Sequence, residues 1–184
     1  MRKAVRILAV FVGLLTAMPA LAAERQVNER YYPVHGQTVA ELNAVIRANA
    51  PRGGLSRGMG IIDLDRRYRL EAHPRGCRIA EATVTAKATL ILPKWRAGSD
   101  PAPGVARHWR GLERRIRSHE YGHVAIAARY ARIMETRLLA LRNDGRCWLL
   151  AAEAGQAIER TLKEHSAAQR AYDARSLGRL TARR

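Results

Sequence analysis

His119, Glu120 and His123 stand in the order H-E-x-x-H. Residues four apart lie on one face of an α-helix, so the two imidazoles can grip a single cation. Zn²⁺ suits imidazole nitrogens. It lowers the pKa of a bound water from about 15.7 to about 7, which makes hydroxide available at neutral pH. Glu120 is one position on, within reach of such a water as a general base. The chemistry on offer is hydrolysis of an amide.

A catalytic zinc takes three protein ligands and keeps one position open. The extended form of the motif carries its own third histidine, but here Ile126 and Arg129 hold the positions of its glycine and that histidine. The third ligand must come from later in the chain, where Glu153, Glu159, Glu164, His165 and Asp173 are the candidates. His165 and Asp173 fall on the expected inner face of their helix. Tyr172, beside Asp173, is placed to donate a hydrogen bond to a developing oxyanion. His108 lies about 16 Å before His119 along a continuous helix, too far to share a cation. His35 and His73 fall in expected turns.

A grip at four-residue spacing needs an unbroken helix. From about Val105 to Arg142, Trp109, Leu112, Ile116, His119, His123, Ile126, Tyr130, Ile133, Arg137 and Leu141 recur at three- and four-residue steps. This pattern predicts one long helix with both histidines on its inward stripe. Gly122 weakens that helix by about 1 kcal/mol relative to Ala, so its presence predicts close approach of another element or a substrate. Asn143-Asp144-Gly145 reads as a turn. A second helix is expected over about Leu149 to Arg175, with Ala154, Ile158, Thr161, Leu162, His165, Gln169 and Tyr172 on one face. So short a turn makes the two helices antiparallel neighbours and brings the second back toward the motif.

Upstream, Glu24 to Val34 reads as a first strand. Thr38 and Glu41 form a capping box, which opens a helix to about Ala48 with Val39, Leu42, Val45 and Ile46 on its apolar side. A second strand is expected from Gly60 to Leu70, with Ile62, Leu64, Tyr68 and Leu70 on one side. His73 to Gly76 turns the chain. The third strand sends Val84, Ala86, Ala88, Leu90 and Leu92 to one face, and Pro93 is expected to end it. The two long runs pair as an antiparallel hairpin. The predicted class is α+β: a small antiparallel β-sheet packed against the long motif helix and an antiparallel C-terminal helix.

The chain has 184 residues and a formal charge of +17. Arg2, Lys3 and Arg6 precede an apolar run from Ile7 to Leu15, and Ala20-Leu21-Ala22 has the small-x-small form of a cleavage site. Residues 1–22 thus read as a secretory signal peptide, which assigns the mature protein to the periplasm or the exterior. No transmembrane segment is expected after cleavage. Residues 23–176 suit a single domain, and 177–184 read as a basic mobile tail. Cleavage removes three basic residues and no acidic one, so the charge falls from +17 to +14. Such a charge favours an anionic envelope component as partner. The basic residues are scattered and match no nucleic-acid fold, so nucleic acid is not an expected partner. An exported chain meets an oxidising compartment, which makes one disulfide the natural reading of Cys77 and Cys147.

Several separated segments together resemble the DUF922 family. They are Tyr31 to Gly36, Gly76-Cys77-Arg78-Ile79, Leu92 to Trp95, His119 to His123, Cys147, and Gln169-Arg170-Ala171-Tyr172-Asp173. That family comprises exported bacterial proteins described as zinc-dependent proteases. The resemblance implies a zincin-like metallopeptidase domain acting on a peptide or protein substrate with Zn²⁺ as cofactor. His119 and His123 would bind the metal and Glu120 would activate water. Family members continue from Tyr-Asp into Thr-x-His-Gly, whereas this chain reads Ser176-Leu177-Gly178-Arg179. Asp173, or alternatively His165, must then complete the site. The alternative reading is a weak or inactive envelope-binding protein that retains a metal site.

Overall fold

The computed structural model of the chain describes residues 25–54, 56–98 and 101–181, with side chains as far as Ser176. The expected signal peptide lies outside these residues. The elements run β1 (Arg25–His35), α1 (Val39–Asn49), β2 (Met59–His73), β3 (Gly76–Arg96), α2 (Val105–Ala140), β4 (Arg142–Asn143) and α3 (Cys147–Thr181). The class is α+β, as the alternation of strand-period and helix-period segments requires. No described helix is long and apolar enough to cross a membrane.

The capping box forms. The Thr38 hydroxyl accepts from the backbone N–H of Glu41 at 3.2 Å, and the Glu41 carboxylate accepts from that of Gln37 at 2.8 Å. Leu42 and Ile46 of α1 are buried. The β2–β3 hairpin is antiparallel from Met59↔Ile91 to His73↔Gly76. Leu64 is buried, but Tyr68, expected on the same side, is exposed near a register shift at Arg69/Leu70. The shift leaves Ala80 of β3 without a partner on β2.

The sheet is mixed and not purely antiparallel: its order is β1-β3-β2, and β1 runs parallel to β3. The register gives the reason. β1 finishes at His35, opposite Arg96, and β2 begins at Met59, opposite Ile91. The chain thus leaves β1 and enters β2 at the same end of the sheet. The hairpin then returns β3 in the direction of β1.

Pro93 does not end β3, which runs on to Arg96 with Pro93 fully buried. Pairing with β2 stops at Ile91, so beyond it β3 has only β1 beside it, with Pro93 opposite Tyr32. Proline is tolerated where one side of a strand carries no ladder. The turn after α2 also carries more structure than expected. Arg142 and Asn143 form the two-residue β4, paired with Arg78 and Cys77. α3 starts at Cys147, two residues before the expected start, and runs on to Thr181.

α2 lies between two neighbours, and this divides its surface. Its buried residues are Val105, Trp109, Leu112, Ile116, Glu120, Val124, Ala127, Ala131, Met134 and Leu138. The first half packs with β1, α1 and the end of β3, and the second half with β2, β3 and the start of α3. The stripe read from the sequence agrees as far as Ile116. Beyond that point its members are only partly buried, because they face α3 and not the sheet. Arg137 donates to Thr161 at 2.9 Å and to Glu164 at 2.8 Å across the helix pair. The motif histidines therefore lie on the α3 side of α2, and Glu120 lies on the sheet side.

Candidate metal centre

The four-residue spacing sets the two imidazoles of α2 edge to face, with ring centroids 4.8 Å apart. Their Nε2 atoms approach to 3.3 Å. α3 returns along α2 and delivers Asp173, whose Oδ1 lies 3.2 Å from Nε2 of His119 and 2.9 Å from that of His123. Three ligand atoms thus form a nearly equilateral triangle. Zinc bonds of about 2.0–2.2 Å at tetrahedral angles put neighbouring ligand atoms about 3.4 Å apart. The triangle fits a cation just above its plane, and these three side chains form a group able to hold a metal. Asp173 is 52% exposed, so the face of the site opposite the sheet is open to solvent.

His165, the alternative third ligand, is not part of the triangle. It is buried on α3 and its Nε2 accepts from the side-chain amide of Gln169 at 2.8 Å. Burial, and secondarily the charge of His123, holds its pKa below the ordinary imidazole value. The same Gln169 amide donates to the backbone carbonyl of His123 at 3.1 Å, and its Oε1 accepts from Nδ1 of His123. A proton kept on Nδ1 leaves the lone pair of Nε2 free to face Asp173 and a cation. His165 thus orients Gln169, and Gln169 orients His123. The remaining acidic candidates are engaged elsewhere or face solvent. Glu153 accepts from Asn143, Glu164 pairs with Arg137, and Glu159 is exposed.

Tyr172 stacks on His119 at 5.1 Å and meets His123 edge-on at 4.9 Å. Its hydroxyl fills the notch left by Gly122, where a Cβ would overlap both the oxygen and the ring. This is the close approach that the glycine predicted. The Tyr172 ring packs against both imidazoles, with the hydroxyl seated in the notch.

On the other side of the triangle is a cleft of about 280 Å³ lined by His119, Glu120, His123, His165, Gln169 and Asp173, and by Arg52, Ser56, Gly58, Met59, Gly60 and Ile62. Glu120 is 4% exposed, and its carboxylate accepts from the backbone N–H of Gly60. Burial is the largest influence on Glu120 and raises its pKa, the carboxylate of Asp173 adds to the rise, and the charge of His123 opposes it. Gly58 has no room for a side chain, since a Cβ there would lie 2.7 Å from Ile116 and 3.0 Å from Glu120. The segment entering β2 is tied down by the Tyr32 hydroxyl, which donates to the carbonyl of Arg57 at 2.6 Å.

Two groups of residues at this site escaped the sequence reading. Gln169 was placed on the inner face without a role, although His165, Gln169 and Asp173 form a polar ladder at four-residue steps. That spacing was a readable signal for a shared site. The wall from Arg52 to Gly60 was not foreseen, because its nearness to α2 depends on how the loop after α1 crosses to the hairpin.

The family model described as "Bacterial protein of unknown function (DUF922)" matches residues 29–178, most of the chain, and the chain belongs to that family. No curated protein matches, and no solved structure does.

Proposed function

We propose that this member of the DUF922 family is an exported zinc-dependent peptidase. The observation that carries the reading is the convergence of His119 Nε2, His123 Nε2 and Asp173 Oδ1 at 2.9–3.3 Å, beside a buried glutamate in one cleft. The reading rests on this side-chain set and not on likeness to a known peptidase structure. Export is supported by the signal-peptide pattern of residues 1–22 and by the Cys77–Cys147 disulfide.

Zinc held there would supply Lewis acidity and a water acidified from about 15.7 to about 7. His119, His123 and Asp173 would hold it, and Gln169 fixes the tautomer that lets His123 do so. Glu120 is the one buried carboxylate on the cleft wall, which places it as the general base. It takes the proton of the attacking water and delivers it to the departing amine nitrogen. The N–H of Gly60 holds that carboxylate in place during both transfers. A polypeptide substrate reaches the site from the solvent side, past Asp173.

Glu120→Gln tests the assignment, because it keeps the shape and removes the base. Purified protein is expected to carry one zinc per chain, and the variant to keep it while cleaving casein at least about a hundredfold more slowly. Wild type without stoichiometric zinc, or a variant as fast as wild type, sinks the proposal. The competing reading, an envelope-binding protein with a metal site, shares the zinc prediction and is separated by the absence of turnover.

A further inference from the structure

The wall of the cleft opposite the histidines carries Arg52, whose backbone adopts φ +56°. It is the only described residue other than glycine with positive φ. Gly53 and Gly54 follow at φ +64° and +84°, so three consecutive residues are left-handed. A side-chain-bearing residue in that region costs roughly 1 kcal/mol, and such strain gathers at ligand-contacting positions. Glycine occupies the other two positions of this run and would relieve the strain at 52. An arginine is there instead.

The turn that presents it is tightly built. Gly54 donates its N–H to the carbonyl of Ala50 at 3.1 Å, and its Cα is pressed against the carbonyl of Arg47 on the last turn of α1. The backbone that carries Arg52 is thus held beside the cleft that Arg52 helps to line. Among the described residues no carboxylate lies within ion-pair distance of it. The two acids of the cleft are already engaged, Asp173 by the histidines and Glu120 by Gly60. A guanidinium in this setting matches a planar anion by a two-pronged hydrogen bond.

We infer that Arg52 is a specificity-determining residue that binds a carboxylate of the substrate, so that the site prefers peptides with an anionic group near the scissile bond. The inference rests on the peptidase reading for the substrate class. The carboxylate comes either from an acidic side chain or from a free C-terminus.

Three peptides of one sequence separate these cases: a neutral peptide with an amidated C-terminus, the same peptide with one internal Glu, and the neutral peptide with a free C-terminus. Binding to zinc-loaded Glu120→Gln protein is measured by calorimetry, which needs no turnover. At least one anionic peptide is expected to bind tenfold or more tightly than the neutral one. Which of the two does so identifies the source of the carboxylate. Arg52→Gln is expected to abolish the difference. Arg52→Gly is expected to abolish it while leaving the melting temperature equal to or above the parent's, which removes misfolding as an explanation. Equal binding of the three peptides, no binding of any, or a preference that survives Arg52→Gln overturns the inference. Zinc content is measured in parallel. A protein without zinc defeats the peptidase reading, and the same comparison on that protein still tests Arg52.

Discussion

Asp173 and His165 compete for the third ligand position, and atomic placement separates them. A carboxylate oxygen of Asp173 lies within 3.2 Å of both motif imidazoles, whereas Nε2 of His165 is taken up by Gln169. Asp173→Ala is therefore expected to cost stoichiometric zinc, and His165→Ala to keep it with lowered affinity. The loss in His165→Ala should resemble the removal of an outer-shell partner, about 10–100-fold. Competition with a chromogenic chelator reads both. Zinc lost from His165→Ala and retained by Asp173→Ala would reverse the assignment. At this scale the sequence was highly legible. The H-E-x-x-H spacing brings the two imidazoles together without knowledge of the fold, because a helix's own geometry sets the distance between them. The sequence did not show that the hydroxyl of Tyr172 fills the notch at Gly122.

On α2, Gly122 leaves the notch that takes the hydroxyl of Tyr172 on α3. Alanine at that position gains about 1 kcal/mol of helix propensity but meets the phenol of Tyr172, and overpacking costs about 1–3 kcal/mol. Tyr172 is only partly buried, so its ring can swing out and limit the loss of stability. It would then leave His119 and carry the neighbouring Asp173 with it. Gly122→Ala is expected to keep its helical circular dichroism, lose no more than about 2 kcal/mol in urea unfolding, and bind zinc at least tenfold more weakly. Wild-type zinc affinity in that variant would show that the notch does not position the site. Apart from the two-residue β4, element existence was legible, since both long helices and the hairpin follow their periodicities. The faces of α2 were less so. A helix with two partners shows two overlapping stripes, and a single stripe drawn through His119 and His123 follows the α3 side.

Across the whole molecule, the disulfide lies at the turn end of the helix pair, and the candidate metal site lies well along it. Cys77 and Cys147 are bonded, with Cα atoms 5.1 Å apart and a sequence separation of 70. In the chain-entropy model a loop of that length stabilises the fold by roughly 4 kcal/mol. The bond ties the start of β3 to the start of α3, and Asp173 lies 26 residues further along α3. At about 1.5 Å per residue that is about 39 Å. Cys77→Ala/Cys147→Ala is expected to lower the urea midpoint by an amount equivalent to about 2–4 kcal/mol, and to leave the zinc affinity of the folded protein within a factor of two or so. A large loss of zinc affinity in the folded variant would mean that the two ends are coupled through the helices.

The sequence by itself singled out the H-E-x-x-H residues and the cysteine pair, and it placed the second helix beside the first. These follow from local periodicity, from a turn too short to allow anything but an antiparallel return, and from the chemistry of side-chain types. Only the tertiary structure set Asp173, and not His165, beside the two motif imidazoles, because the two side chains lie about two turns apart on α3 and meet different neighbours. Only it revealed that β1 lies parallel to β3, since that pairing joins segments about 60 positions apart and the crossover sets its direction. Only it brought the strained turn at Arg52 to the rim of the cleft around His119-Glu120-Tyr121-Gly122-His123, because the path of a loop depends on what its two ends pack against.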